Sequence, residues 1–149
     1  MLSRTTEYAL RATAVLACAP DRLMPTATLS ERTSVPEHYL AKVLQNLAAS
    51  KLVSGRRGVG GGYRLARPPE QITLLDVVRS IEPVEALVAC PLGLKLPDPA
   101  LCPLHATVNQ LAAAAIGILG STTLGDLLAD GRNRPICACP EPMIPAPGA

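Results

Sequence analysis

The sequence predicts a mainly α-helical fold that carries one two-stranded β-hairpin and a long C-terminal helix. Three observations predict it. Leu (23) and Ala (22) dominate a chain of 149 residues, whereas Trp and Phe are absent and Tyr occurs three times. That composition suits close-packed helices better than an aromatic-rich sandwich or barrel. Apolar residues recur at helical spacing in several segments, each bounded by capping signals. A single Gly-rich stretch, Gly55 to Gly62, separates two short strand-like runs. The apolar fraction of 48% is enough for a core, and no apolar run reaches the roughly 18–20 residues of a membrane span. Glu7 and Arg11 interrupt the first apolar stretch, which is the wrong order for a secretory signal. A cytoplasmic protein is expected.

Ser3 or Thr5 can cap a first helix that runs to about Cys18, with Tyr8, Ala12, Val15 and Leu16 on one face. Pro20 ends it and Pro25 closes the turn. A short helix over Thr26–Thr33 follows, with Thr28 and Glu31 spaced for a capping box. Ser34-Val35-Pro36-Glu37 then reads as a capping box with Pro in the first turn of a helix over Val35–Ala49, which carries Leu40, Val43, Leu44 and Leu47. Two helices joined this tightly read as a helix-turn-helix, or as a plain helical hairpin.

The next segment separates those readings. Leu52-Val53-Ser54 and Tyr63-Arg64-Leu65 are strand-like, and the tip between them holds Arg56, Arg57, Gly60 and Gly61. Glycine lets a backbone approach a partner closely. Such an arginine-bearing hairpin reads as a wing beside a helix-turn-helix. A nucleotide loop fits poorly: Tyr63 and Arg64 follow Gly62 where a Walker loop needs Lys and Ser/Thr, and Tyr63 replaces the third Gly of the dinucleotide fingerprint.

Thr73 and Asp76 cap a helix running to about Glu82, stopped by Pro83. Residues 84–103 form a long loop with Cys90, Cys102 and four prolines; such loops are usually functional or disordered. Pro103 opens a helix to about Leu119, where Leu104, Val108, Leu111, Ala115 and Ile118 form a heptad seam suited to a partner helix or to core packing. Thr123 and Asp126 cap a last helix over Leu124–Leu128. The expected organisation is a winged helix-turn-helix unit over 1–83, a Cys-containing loop over 84–102, a dimerisation helix and terminal helix over 103–130, and a disordered tail over 131–149.

The net charge of +2 hides an asymmetry. Residues 1–67 carry ten Lys/Arg against four Asp/Glu, and the remainder four against eight. A basic N-terminal half suits a polyanion, because phosphate contacts supply most non-specific affinity for DNA. Glu37, His38, Lys42 and Gln45 project away from the Leu40/Val43/Leu44 face. Gln45 can pair with adenine and Glu37 can accept from cytosine. Lys42 can reach a phosphate or a base. Arg56 and Arg57 suit a narrow minor groove. Ser34 and the first amides of its helix can hold a phosphate. Tyr39 reads as partly core and partly a backbone contact, with core favoured, and His38 as a contact or an idle surface residue.

Cysteines number five, Cys18, Cys90, Cys102, Cys137 and Cys139, an odd set in a reducing compartment. Metal or redox chemistry is a better default than a disulfide framework. Cys90, Cys102 and His105 have the spacing C-x11-C-x2-H. Cys102 precedes the long helix, whose N-terminus favours a thiolate. Thiolates with an imidazole suit zinc or an iron–sulfur cluster, while Cys90 and Cys102 also suit a redox pair. Cys18 reads as a small core residue, and Cys137 with Cys139 as an idle tail pair.

Five stretches together resemble the Rrf-two family of winged-helix transcription regulators, which includes the iron–sulfur cluster regulator and the nitric-oxide-sensitive repressor. They are LSRTTEYALRA, SVPEHYLAKVLQNLAASKLV, SGRRGVGGGYRLARPPEQITLLDVVRSIE, the Cys90–His105 loop and TLGDLL. The resemblance implies a homodimer that reads a two-fold duplex operator, with recognition helices in successive major grooves and wings in flanking minor grooves. It also implies a cluster, [2Fe–2S], on Cys90, Cys102, His105 and Glu7 of the partner subunit. The chain departs from the family pattern in two places. It has two loop cysteines where three are typical, and Ala41 stands where cluster-sensing members often carry Glu.

The expected function is therefore sequence-specific transcription regulation by a dimer that senses redox, nitric oxide or iron–sulfur status. A metal-free thiol regulator and a zinc regulator of the same fold are the alternatives. A winged-helix protein-interaction module and a thiol enzyme fit less well, since the chain has no C-x-x-C, no Walker loop and two histidines.

Overall fold

The computed structural model describes residues 2–95, 97–98 and 102–129. The order is α1 (Arg4–Ala17), α2 (Thr26–Thr33), α3 (Glu37–Ala49), β1 (Val53–Arg56), β2 (Gly62–Leu65), a 3-10 turn (Pro69–Gln71), α4 (Leu74–Arg79), α5 (Pro103–Ser121) and α6 (Leu124–Ala129). The fold is mainly helical, with a two-stranded antiparallel sheet as its wing. Cys137, Cys139 and the predicted tail lie outside the described residues.

Helix α1 organises the core. Ser3 caps it, its side chain accepting from the Thr6 amide at 3.2 Å. Ala9 and Ala12 are fully buried, and their small side chains let α1 pack against α2, α3, α4 and α6. Leu16, Leu29, Leu40, Leu44, Leu47, Leu52, Ile72 and Leu124 fill the space between these elements. Tyr8 is the buried aromatic of this aliphatic core.

The junction of α2 and α3 corrects the predicted capping box at Ser34. Ser34 has left-handed backbone (φ 54°) and is the C-cap of α2, not the N-cap of α3. Val35 precedes Pro36, whose ring disfavours helical backbone at the preceding residue, so α3 begins at Glu37. The turn is closed instead by Ser30, whose hydroxyl donates to the Val35 carbonyl at 2.6 Å. The box at Thr28 is also absent: α2 starts two residues earlier, behind Pro25, with no side-chain cap.

The wing pairs Val53 with Leu65, Ser54 with Arg64, Gly55 with Tyr63 and Arg56 with Gly62. Strand β1 thus extends two residues past Ser54, because Gly55 and Arg56 find partners across the hairpin. Met24 bridges to β2 from outside the hairpin: its amide donates to the Tyr63 carbonyl at 2.8 Å, and the Tyr63 amide returns the bond at 2.9 Å. Gly62 is obligatory there. Its φ is +146°, and a Cβ would sit 2.3 Å from the Met24 carbonyl oxygen.

The capping box at Thr73 and Asp76 forms as predicted. Helix α4 stops at Arg79 rather than Glu82; Pro83 restricts Glu82, and the chain leaves the helix through turns at Ser80 and Ile81. Helix α5 runs two residues past the expected end, and Thr123 with Asp126 cap α6 through reciprocal bonds. Backbone bonds from Leu74 to Thr122 and from Leu124 to Ile72, both 2.9 Å, fasten α6 to the body.

Glu82 ties the end of α4 to the start of α1. Its Oε1 accepts from the Thr6 hydroxyl and from the Ser3 amide. The Thr6 hydroxyl, then the Ser3 amide, hold its carboxyl below the usual carboxylate range. A carboxyl depressed in the folded state adds stability above its unfolded pKa, which is lost as pH falls through the folded value. Glu82→Gln should therefore melt lower than wild type at neutral pH. The gap should begin to narrow near the ordinary glutamate pKa of about 4.3 and close only below the lowered folded value. Melting curves of both proteins across pH check this; a gap indifferent to pH would show that the carboxylate charge is not what holds the tie.

Candidate nucleic-acid interface and cysteine site

Helix α3 divides cleanly into two faces. Leu40, Val43, Leu44 and Leu47 are buried against the core. Glu37, His38, Ala41, Lys42 and Gln45 are all exposed on the opposite side. This follows from the 3.6-residue period, which puts positions 37, 38, 41, 42 and 45 on one stripe. Glu37 lies in the first turn, where an acidic side chain complements the helix dipole.

Tyr39 corrects its predicted core role. It is 54% exposed, with its ring centroid 4.1 Å from that of His38 and 6.3 Å from that of the buried Tyr8. The residue falls at the edge of the apolar stripe. His38 is exposed beside this aromatic neighbour. Arg11, which sequence reasoning passed over, lies over the Tyr8 ring at 5.7 Å and donates to the Thr33 carbonyl at 3.4 Å.

The wing tip projects into solvent, with Arg56, Arg57, Gly58, Val59 and Gly60 all exposed and Gly61 half-buried. Gly58 and Gly60 have positive φ (93° and 72°) and open space around them. A cleft of ≈ 340 Å³ separates the wing from the start of α2 and is lined by Pro25, Thr26, Arg56, Arg57 and Tyr63 among others. Two arginines and the positive end of a helix dipole there make an anion-favouring surface. Thr26 is a residue that sequence reasoning missed; only the fold brings it beside the wing. Ser34, by contrast, is half-buried at the C-terminal end of α2, the negative end of that dipole.

The loop after α4 meets the start of α5. Cys90 Sγ and Cys102 Sγ are 3.5 Å apart. Cys102 occupies the N-cap position of α5 and is 1% exposed, whereas Cys90 is half-buried. Desolvation pushes the Cys90 thiol up, but hydrogen bonds from the backbone of Leu92, Leu94 and Gly93 and from the Cys102 thiol outweigh it, so its pKa is lowered. Gly93 makes that turn with φ +69°, its amide donating to the Cys90 carbonyl at 2.9 Å.

His105 is 4% exposed, and its Nε2 lies 2.8 Å from the Leu87 carbonyl. A carbonyl only accepts, so Nε2 carries the proton. Nδ1 is buried and has no hydrogen-bond partner among the described residues. Asn109, one turn on, accepts from the Leu87 amide at 2.7 Å. Helix α5 thus grips both polar groups of Leu87, a contact between distant segments that no local spacing announces.

Glu7 is exposed in the first turn of α1. Cys90 and Cys102 converge, but among the described residues no group of three His, Cys, Asp or Glu side chains is placed to hold a metal ion. An iron–sulfur cluster takes four strong ligands. Among the described residues the chain brings two sulfurs to 3.5 Å, while His105 donates from Nε2 to Leu87 and keeps Nδ1 as its ligating nitrogen, so this chain alone does not complete a four-ligand set. Cys18 is half-buried at the C-cap of α1 rather than in the core.

Helix α5 leaves an apolar face in solvent. Leu104, Leu111 and Ile118 are 41%, 61% and 68% exposed, and Val108 and Ala115 lie half-buried between them. No helix among the described residues is long and apolar enough to cross a membrane.

Comparison with known proteins agrees with this architecture. HTH-type transcriptional regulator BadM of Rhodopseudomonas palustris is 37% identical over 81 residues, which cover 54% of this chain and 52% of BadM, so the match spans about half of that relative. The structure of CymR, the global cysteine regulator of B. subtilis, superposes with a TM-score of 0.72 at 29% identity, covering 87% of this chain and 96% of CymR. The structure of T. potens IscR superposes with a TM-score of 0.73 at 27% identity, covering 87% of each chain. The sequence model of the Rrf2 family, described as iron-dependent transcriptional regulator, matches residues 2–130. With all of its described residues inside that match, the chain belongs to the Rrf2 family of winged-helix transcriptional regulators.

Proposed function

We propose that this regulator binds a two-fold duplex operator as a homodimer joined through α5, and that the Cys90–Cys102 loop carries its signal. The observation that carries the DNA reading is the exposed stripe Glu37, His38, Lys42 and Gln45 on a helix whose other face is wholly buried. A polar stripe on a rigid helix is what major-groove readout needs. Arg56 and Arg57, with Gly60 and Gly61 allowing close approach, serve the minor groove and its phosphates. Phosphate contact is better supported at Thr26 and the wing than at Ser34. Such a partner places the protein in the cytoplasm.

For the signal, the geometry favours thiol chemistry. Two sulfurs at 3.5 Å support it, whereas a [2Fe–2S] cluster on Cys90, Cys102, His105 and Glu7 of the partner subunit rests on the family likeness. Zinc on the same side chains rests on the same likeness; the Nε2–H bond to Leu87 leaves Nδ1 as the nitrogen that would ligate it.

Selection from random duplexes tests the DNA reading and should return one enriched two-fold motif. Arg56→Ala with Arg57→Ala should weaken binding to every sequence and shrink the salt dependence, since each lost phosphate contact removes about one unit of salt slope. Gln45→Ala should instead relax preference at one position, at a cost of about 1–3 kcal/mol. Failure to enrich any motif would leave the α3 stripe without its proposed role.

A further inference from the structure

We propose that Cys90 and Cys102 form a peroxide-reactive dithiol, in which Cys90 is the thiol that is oxidised and Cys102 the thiol that resolves it to an intrachain disulfide. The proposal rests on the reading of this loop as the sensor and names its chemistry. Three features carry it.

The sulfurs are 3.5 Å apart, and a disulfide needs about 2.05 Å. The remaining approach is small, and Cys90 lies in a segment with no helix or strand between Pro83 and Lys95. The two thiols differ sharply in access. Cys102 is 1% exposed, so an oxidant in water does not reach it, while Cys90 is open to solvent in part. The order of reaction follows from that difference. Finally, no third ligand joins the pair among the described residues, so the sulfurs are left to each other.

The chemistry balances with hydrogen peroxide as oxidant. The Cys90 sulfur attacks one peroxide oxygen, the O–O bond breaks, and one water leaves, giving Cys90 sulfenic acid. The Cys102 sulfur then attacks the Cys90 sulfur, the S–O bond breaks, and a second water leaves with the remaining thiol proton. Two thiols lose two electrons to one peroxide, and the products are a disulfide and two waters. A thiol reductant reverses the bond by exchange.

The test uses the full chain, reduced and purified without oxygen, with its iron and zinc content measured. Stoichiometric hydrogen peroxide should remove the mass of two hydrogens, and peptide mapping should join Cys90 to Cys102. In Cys102→Ser, dimedone should label Cys90 nearly completely. In Cys90→Ser, Cys102 should show background labelling. The proposal is overturned by a bond that joins other cysteines, by equal labelling in the two variants, or by thiols saturated with metal and inert to peroxide. The same oxidised sample, read on operator DNA, tests the sensor reading separately. Unchanged affinity with the bond formed would remove that reading and leave this chemistry standing.

Discussion

Leu111→Asp should convert the protein to a folded monomer with operator affinity lowered by about 10²–10⁴-fold, the range lost when two linked binding modules are separated. Leu111 is 61% exposed and outside the core cluster, so the substitution leaves the packing of the single chain untouched. Its cost falls on assembly. Helix α5 has 19 residues and is therefore roughly 28 Å long, and Leu104, Leu111 and Ile118 stand seven residues apart along it. Each is already partly covered, so burying the remainder against a partner helix is worth less than the ~1.5–3 kcal/mol of full burial. An aspartate at the middle position reverses that gain, because a buried unpaired carboxylate costs several kcal/mol. Light scattering and DNA titration on the same sample check the two halves of the expectation. A variant that stays dimeric and binds as wild type would show that the α5 face is not the interface. Circular dichroism distinguishes loss of assembly from loss of fold.

What was legible in the sequence was legible because it is local. The box at Thr73 and Asp76 spans four residues, and nothing nearby competes with it. The same pattern at Ser34 failed because Pro36 forces Val35 out of helical backbone, a steric veto stronger than one capping bond. Glu82 misled in the same way, one residue before Pro83. The α3 stripe and the α5 seam could be read from spacing alone, since helical period fixes which side chains share a face. Tyr39 could not, because a residue on the edge of a stripe is placed by its neighbours, here His38 and Tyr8. The contacts that shape the cysteine site were beyond reach for a different reason. Leu87 meets His105 and Asn109 across 18 and 22 positions of chain, and Thr26 meets the wing only after the hairpin folds back. Spacing named Cys90, Cys102 and His105, but only the folded chain sets the two sulfurs 3.5 Å apart and ties the imidazole Nε2 to Leu87.

Oxidation of the wild-type protein should change operator affinity by about 5–150-fold, the range of a typical coupling free energy of 1–3 kcal/mol, and Cys102→Ala should not respond. The route runs through the start of α5. Cys102 occupies its N-cap position, and Leu104, two residues on, begins the exposed seam. A bond from Cys90 would fix the loop to this end of the helix, where His105 and Asn109 already hold Leu87. Any shift of Leu104 alters how two copies of α5 meet, and hence the angle between two α3 stripes. Cys90→Ala should be as unresponsive as Cys102→Ala, because either loss leaves one thiol without its partner. His105→Ala separates chemistry from transmission. It should still form the disulfide, yet respond more weakly on DNA, because one of the two bonds fixing Leu87 to α5 is gone. Operator titrations before peroxide, after peroxide and after a thiol reductant, on all four proteins, give the comparison. An equal response in wild type and Cys102→Ala would place the sensor outside this loop, and an unweakened response in His105→Ala would show that the signal bypasses Leu87.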